Sequence, residues 1–209
     1  LPLLAAPAAA TVLIFEYPGL NGDPVPQDYG DRVAAAAMRD FMYGLDHGLT
    51  PHVVADYFGT AGAKRWDTGY GDLVNVLYPE SEGSALLRIT LTADPGWLVS
   101  LHGFDLGGYP GADYTISALR VLDGAGALLL EESGVLVRGA TADGLGRRHT
   151  SFDFAEPFTA QTIVIEFETG PLGGASDNIG IDNIAFSQVP APASLPLAAL
   201  ALLATRRRR

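Results

Sequence analysis

Leu86-Leu87-Arg88-Ile89-Thr90-Leu91-Thr92 alternates apolar and polar residues, and after Asp94-Pro95-Gly96 the run from Trp97 to Leu106 does so again. A side-chain period of two sends Leu87, Ile89 and Leu91 to one face and Arg88, Thr90 and Thr92 to the other. Each run therefore reads as a half-buried strand. Asp-Pro-Gly supplies a fixed φ followed by a residue that tolerates positive φ, which is turn chemistry. Tyr114 to Leu122 and Thr162 to Glu168 repeat the alternation. Gly107-Gly108-Tyr109-Pro110-Gly111, Asp123-Gly124-Ala125-Gly126 and Gly170-Pro171-Leu172-Gly173-Gly174 repeat the punctuation.

The 25 glycines and 14 prolines among 209 residues keep every apolar stretch short. Short strands at this spacing predict a mainly β fold, an antiparallel β-sandwich or jelly roll. One segment disagrees. Asp31 to Leu45, DRVAAAAMRDFMYGL, has an alanine run and helical propensities, and it predicts a short helix near 31–45. The first strand is expected to run from Thr11-Val12 through Glu16, with Trp97 in the core.

Both ends differ from the body. The chain opens LPLLAAPAAA, and Ala8-Ala9-Ala10 is a small-x-small site behind a leucine-alanine run. Residues 1–10 therefore read as the remnant of a signal peptide. At the other end, 189–209 read VPAPASLPLAALALLATRRRR. A proline-punctuated joint precedes an apolar run, Leu195 to Ala204, expected to be a hydrophobic helix, and Arg206 to Arg209 follow. Arginines resist crossing a membrane and fix orientation. As a helix the apolar run spans roughly 15 Å against a hydrocarbon core of roughly 30 Å, which suits a temporary handle better than a permanent span. A single β-sandwich domain, 11–188, lies between the two ends, large enough for a sizeable core.

All 24 acidic residues precede the arginine cluster, which holds four of the 13 basic ones. So acidic a body argues against nucleic acid and anionic lipid as partners and suits an exported protein that binds cations. Cysteine is absent, so neither disulfides nor thiol chemistry is available.

The C-terminal segment resembles the PEP-CTERM sorting signal, in its VPLPA-type variant, of Gram-negative bacteria. Val189, Pro190, Pro192, Ala193 and Ser194 match that family's motif, as do the leucine-alanine run and Arg206, Arg207, Arg208 and Arg209. Ala191 stands where the family usually has Glu or Leu, and the hydrophobic run is a few residues shorter. The resemblance implies processing by an exosortase, transient contact with the inner membrane through the C-terminal helix, and delivery to the cell envelope, outer surface or extracellular matrix. Tyr29-Gly30-Asp31-Arg32-Val33, Gly69-Tyr70-Gly71-Asp72-Leu73 and Gly180-Ile181-Asp182-Asn183-Ile184 are similar to patterns in proteins carrying such a segment. The body also resembles galactose-binding-like jelly rolls, the architecture of many carbohydrate-binding modules. That resemblance implies a structural Ca2+ held by one acidic residue of the first strand and one of the last, here Glu16 and Asp182. The Asn21-Gly22-Asp23 and Asp177-Asn178 loops would add oxygens, since hard cations want several.

Flat aromatics stack on sugar faces while carboxylates and amides hydrogen-bond hydroxyls. Trp66, Tyr70 and Tyr109 lie in or beside glycine-rich loops, with Tyr78, Asp67, Asp72 and Asp113 near them in sequence. They are the candidate ligand-binding residues, although rings in such positions also serve to cover a core. Catalysis has little support. His47, His52, His102 and His149 form no metal pair at helical spacing, and neither a Gly-x-Ser-x-Gly elbow nor a phosphate-binding loop is present. The composition and motifs thus predict a non-catalytic surface module for extracellular polysaccharide. A carbohydrate-active enzyme (glycoside hydrolase or lyase) and a purely structural surface protein are the alternatives.

Overall fold

A computed structural model describes residues 10–17, 19–34, 48–80 and 86–192. The described chain forms eleven strands: β1 Thr11–Leu13, β2 Val53–Gly59, β3 Ala63–Trp66, β4 Val76–Pro79, β5 Leu86–Ala93, β6 Trp97–Gly108, β7 Tyr114–Asp123, β8 Leu128–Val137, β9 Thr150–Ala160, β10 Thr162–Glu168 and β11 Ile179–Pro190. One 3₁₀ segment, Gly170–Ala175, precedes β11. The first sheet has the order β3-β4-β11-β6-β9, with β1 also paired to β11; the second has β2-β5-β10-β7-β8. Every pairing is antiparallel. The fold is an antiparallel β-sandwich, as the alternation predicts.

The core lies where the inward faces meet. Leu87, Ile89 and Leu91 of β5 and Ile163, Ile165 and Phe167 of β10 are fully buried, as are Leu101, Leu106, Ile181 and Phe186 of the opposite sheet. Each such side chain contributes about 1.5–3 kcal/mol through apolar burial. The outward face of the second sheet carries charge instead. Glu166, 8% exposed, accepts from Arg88 at 2.9 Å and from Arg120 at 3.4 Å, and Arg120 also reaches Glu131 and Glu168. Cross-strand ion pairs of this kind fix register more than they add stability.

Three expectations change. Asp31 and Arg32 sit in a turn and Val33 bridges Thr50, so the start of the expected 31–45 helix is not helical; residues 35–47 lie outside the described residues. A side-chain oxygen of Asp31 accepts the Ala55 N–H, which ties this turn to β2. β1 stops at Leu13 rather than at Glu16, because Phe15 adopts φ 49° and breaks the extended backbone. In return Phe15 is fully buried and stacks on Tyr29 at 5.3 Å. Trp97 is half-buried, packing on the core while its ring stacks on His52 at 4.3 Å.

Val189 and Pro190, read as part of the joint, close β11 opposite Leu98 and Trp97, and the Ala191 N–H bonds to the Gly96 carbonyl. Ala193, Ser194, the expected C-terminal helix, Arg206 to Arg209 and residues 1–9 lie outside the described residues. Among the described residues no helix is long and apolar enough to cross a membrane.

Candidate functional site

The loop between β3 and β4, residues 67–75, is the wall of two cavities. Its near end is pinned by reciprocal bonds to Asn21: Asn21 Nδ2 donates to Asp67 Oδ1 at 2.6 Å, and the Asp67 N–H donates back to Asn21 Oδ1. The Asn21 bond also holds the Asp67 carboxyl below its usual range. Farther along, Gly71 takes φ 65°, and its Cα faces the Arg148 carbonyl so closely that no side chain fits. Glycine is therefore required there. Backbone bonds knit this loop to two others: Gly111 N–H to Gly69, and Tyr109 N–H to Asn178.

On one side of the loop the aromatics meet. Trp66, at the end of β3, stands edge-on to Tyr78 (6.2 Å, 86°) and Tyr109 (5.8 Å, 70°). Tyr70 lies 6.1 Å from Tyr78 and 5.2 Å from Tyr109. Tyr70 and Tyr78 are buried, Trp66 and Tyr109 half-buried, and together with Leu73 and Val76 they form a cluster separate from the main core. The cavity they line, about 90 Å³, also touches Asp177 and Asn178. The Tyr70 hydroxyl donates to the Asp177 carbonyl at 2.9 Å, and burial pushes both the Tyr70 and Tyr78 phenols far up.

On the other side lies a cavity of about 350 Å³ lined by Glu16, Asp72, Asn75, His149, Asp182 and Asn183, with Ile14, Leu73 and Val74 as its apolar part. Asp182, only 3% exposed, sits on β11 directly opposite Asp105 on β6, just before a bulge at which Asn183 takes φ 54°. Bulges of this kind re-aim side chains. Here Asn183 Nδ2 donates to Asp105 Oδ2, and the Asn183 N–H donates to Asp182 Oδ1, both at 2.8 Å. Burial pushes the Asp182 carboxyl up to about 8, with the Asp105 and Glu16 charges adding and the Asn183 N–H opposing. His149 spans two carboxylates, with Nδ1 2.8 Å from Asp72 and Nε2 3.7 Å from Asp105. Burial opposes ionisation of Asp72, but the Arg148 N–H and His149 outweigh it and hold this carboxyl low.

The structure thus brings Trp66, Tyr70 and Tyr109 together, and it sets Glu16 and Asp182 in one cavity although Glu16 is not on a strand. Asn21 and Asp23 serve their own loop, Asp23 accepting the Leu20 N–H, and Asp177 and Asn178 belong to the aromatic cavity. Asp113 is taken up by the N–H groups of Gly139, Ala140 and Thr141. Among the described residues no three His, Asp or Glu side chains converge closely enough to hold a metal ion. Asp105, His149 and Asn183 are the residues the sequence reading missed; the Phe104-Asp105-Leu106 alternation marks Asp105 as outward-facing but not as the neighbour of Asp182. His102 Nε2 lies 2.8 Å from the Ser187 hydroxyl, but Ser187 is 8% exposed and the pair lines neither cavity, so it reads as a cross-strand tie.

No protein-family model matches the chain, and no curated protein does. Several solved structures are similar to part of it. The enzymatically active domain of bacteriophage CBA120 tailspike protein 4 is 18% identical over 66% of this chain and 19% of its own, with a TM-score of 0.35. The family 32 carbohydrate-binding module of C. perfringens NanJ, solved with galactose, is 10% identical over 65% of this chain and 93% of its own, at 0.33. Discoidin II of Dictyostelium discoideum is 11% identical over 66% and 56%, at 0.34. Scores this low transfer no role to this chain, so its chemistry has to be argued from its own residues.

Proposed function

We propose that the chain is an exported, non-catalytic binding module that holds surface polysaccharide at the corner formed by Trp66 and Tyr109. The observation that carries this reading is the aromatic cluster itself. Two half-buried rings, Trp66 and Tyr109, pack edge-on or tilted against the buried Tyr70 and Tyr78, and Asp177 and Asn178, whose amide donates to the Tyr114 hydroxyl, line the same cavity. A saccharide needs that combination, an apolar face for its C–H side and polar groups for its hydroxyls. Glycan-array binding of the full chain tests it. Trp66→Ala and Tyr109→Ala are expected to abolish a signal that the wild type gives, and an array blank for the wild type would leave a purely structural surface protein.

Export to the envelope of a Gram-negative bacterium, with exosortase processing and passing contact with the inner membrane, belongs to the same proposal. Its support is the Val-Pro-x-Pro joint, apolar run and arginine cluster of 189–209. Intact chain, arginines included, in the soluble cell interior of the native host would refute it. A structural Ca2+ between Glu16 and Asp182 is also proposed, supported by their shared cavity. The described side chains do not form a ready-made chelate, so the ion would have to displace the Asp182 proton and draw the ligands together. A melt with and without EDTA decides this point.

One observation favours a second reading, a carbohydrate-active enzyme. A carboxyl that keeps its proton near neutrality, in an open cavity it shares with the Asp72 carboxylate, is what a general acid requires. Asp182→Asn should then abolish turnover on a polysaccharide panel, while Trp66→Ala should weaken binding.

A further inference from the structure

The two long sides of the sandwich are finished differently. On one side β2 and β3 are the edge strands, and residues 22–32 run along both. The Val25 N–H bonds to the Ala63 carbonyl and the Arg65 N–H to the Asp23 carbonyl, which satisfies β3. On β2, Asp31 accepts the Ala55 N–H, Gln27 accepts the Tyr57 N–H and donates to the Tyr57 carbonyl, and the Arg32 N–H reaches the Val53 carbonyl. That side is sealed.

On the other side the edge strands are β8 and β9, and among the described residues no strand pairs with their outer edges. Thr150 stitches them at one end, its hydroxyl donating to the Leu136 carbonyl and accepting the Arg138 N–H. Beyond it a groove opens between the sheets, lined by Leu130, Glu132 and Val135 of β8 and by Phe152, Asp153 and Phe154 of β9. Leu130 and Glu132 lie opposite Val121 and Leu119, which are fully buried on the inner face of β7, and directly paired residues share a face. Glu132 thus stands on the inner face of its sheet and is exposed all the same.

An edge of this kind suits an added strand. Its backbone N–H and C=O groups can bond an extended segment while an apolar floor receives alternate side chains. Gly134, at φ 63°, bends β8 midway, and beyond its chain neighbours no atom lies within 4 Å of where a Cβ would stand, so a second backbone has room to approach. Charge selects the occupant. Glu132 makes no ion pair among the described residues, and neither lysine nor arginine lines the groove. Asp153 adds a second carboxylate, offset in part by Arg147, which Asp143 holds at 2.8 Å. A second copy of β8 would bring like charges together at Glu131 and Glu132, in a chain whose net charge is already −11, so self-pairing is opposed.

We propose that the β8–β9 side is a docking site for an extended basic segment of another protein, added as a strand along β8. Its apolar side chains enter the groove beside Leu130, Val135 and Phe154, and a lysine or arginine between them meets Glu132. This surface is separate from the aromatic corner and does not depend on it.

NMR titration of the labelled full chain with the capped peptide Thr-Val-Thr-Lys-Thr-Val-Thr tests this. The amide signals of Leu130 to Leu136 are expected to move, and the same peptide with Glu for Lys should bind about tenfold more weakly. Glu132→Lys should reverse that preference, whereas Trp66→Ala should leave it unchanged. Of two versions N-methylated at alternate amides, the one whose methyl groups face β8 should lose binding. Binding of both methylated versions as tight as the parent's, or no binding of the parent, overturns the proposal. So does a glycan that moves these signals where the peptide does not.

Discussion

Replacing Asp182 by Asn should make the protein less sensitive to alkali. Asp182 is 3% exposed, and its carboxyl is pushed up to about 8 from the usual 3.8. Unfolding releases it into water, where it ionises near 4. Between about pH 4 and pH 8 the folded chain therefore holds a proton that the unfolded chain has lost. The stability this group contributes is complete below pH 4 and is lost as pH rises to 8, at about 1.4 kcal/mol per pH unit. Asparagine keeps the oxygen that accepts the Asn183 N–H but does not titrate. Over pH 5 to 7.5 the stability of the variant relative to wild type should therefore rise by about 3 kcal/mol, or about 10 °C in midpoint for a domain of this size.

The comparison has to be made as a difference, because other groups titrate nearby. Burial lowers the His102 pKa, so that group costs stability as pH falls through the ordinary histidine range, the opposite sign. Asp94 and Asp143 are held to about 2, chiefly by the Arg32 side chain and the Arg147 N–H respectively, so they act only in acid, where their contribution is lost. Both backgrounds share these terms. Urea unfolding of wild type and Asp182→Asn at four pH values gives the difference curve, and a flat one would refute the reasoning.

Calcium and the proton compete for the same oxygens if Glu16 and Asp182 are its ligands, so EDTA should lower the midpoint more at pH 8 than at pH 6; equal or absent shifts remove the ion from this cavity. Leu101→Ala removes a fully buried side chain between the sheets and should cost about 2–5 kcal/mol in urea unfolding, with the m-value unchanged. Gly71→Ala drives a methyl into the Arg148 carbonyl at a backbone angle that L-residues avoid. It should shift the NMR signals of both His149 and Tyr70 while leaving those of the β2-β5 pair in place.

The sandwich was legible because its evidence is local. Leu87, Ile89 and Leu91 announce an inward face from their spacing alone, and Asp94-Pro95-Gly96 announces where the chain turns. The breaks in the pattern were not legible. Phe15, Arg32, Asn75 and Asn183 all take positive φ without being glycine; Phe15, Arg32 and Asn183 pack on or pair with the distant Tyr29, Asp94 and Asp105, and Asn75 pairs with Arg65 and Asp67 of its own hairpin. The Phe15 break moved Glu16 off the first strand, and the Asn183 break aimed its own amide at Asp105. The aromatic residues announced themselves by their glycine-rich flanks, but their closure into a cycle needs the β3-β4 hairpin, the turn after β6 and the start of β11 at once. The acidic cavity was further out of reach, since Asp72, Asp105, His149 and Asp182 come from two loops and two strands that only the register of β6 with β11 and β9 brings together. Both cavities nevertheless share residues 67–75 as a wall, fixed at one end by Asn21 and in the middle by Gly71 against Arg148. A ligand that moves the wall on the aromatic side therefore shifts Asp72 against His149 on the other. Occupancy of the aromatic cavity and the pH response of the acidic one should then be coupled, and titrating a glycan picked out by the array at pH 6 and at pH 8 measures that coupling directly.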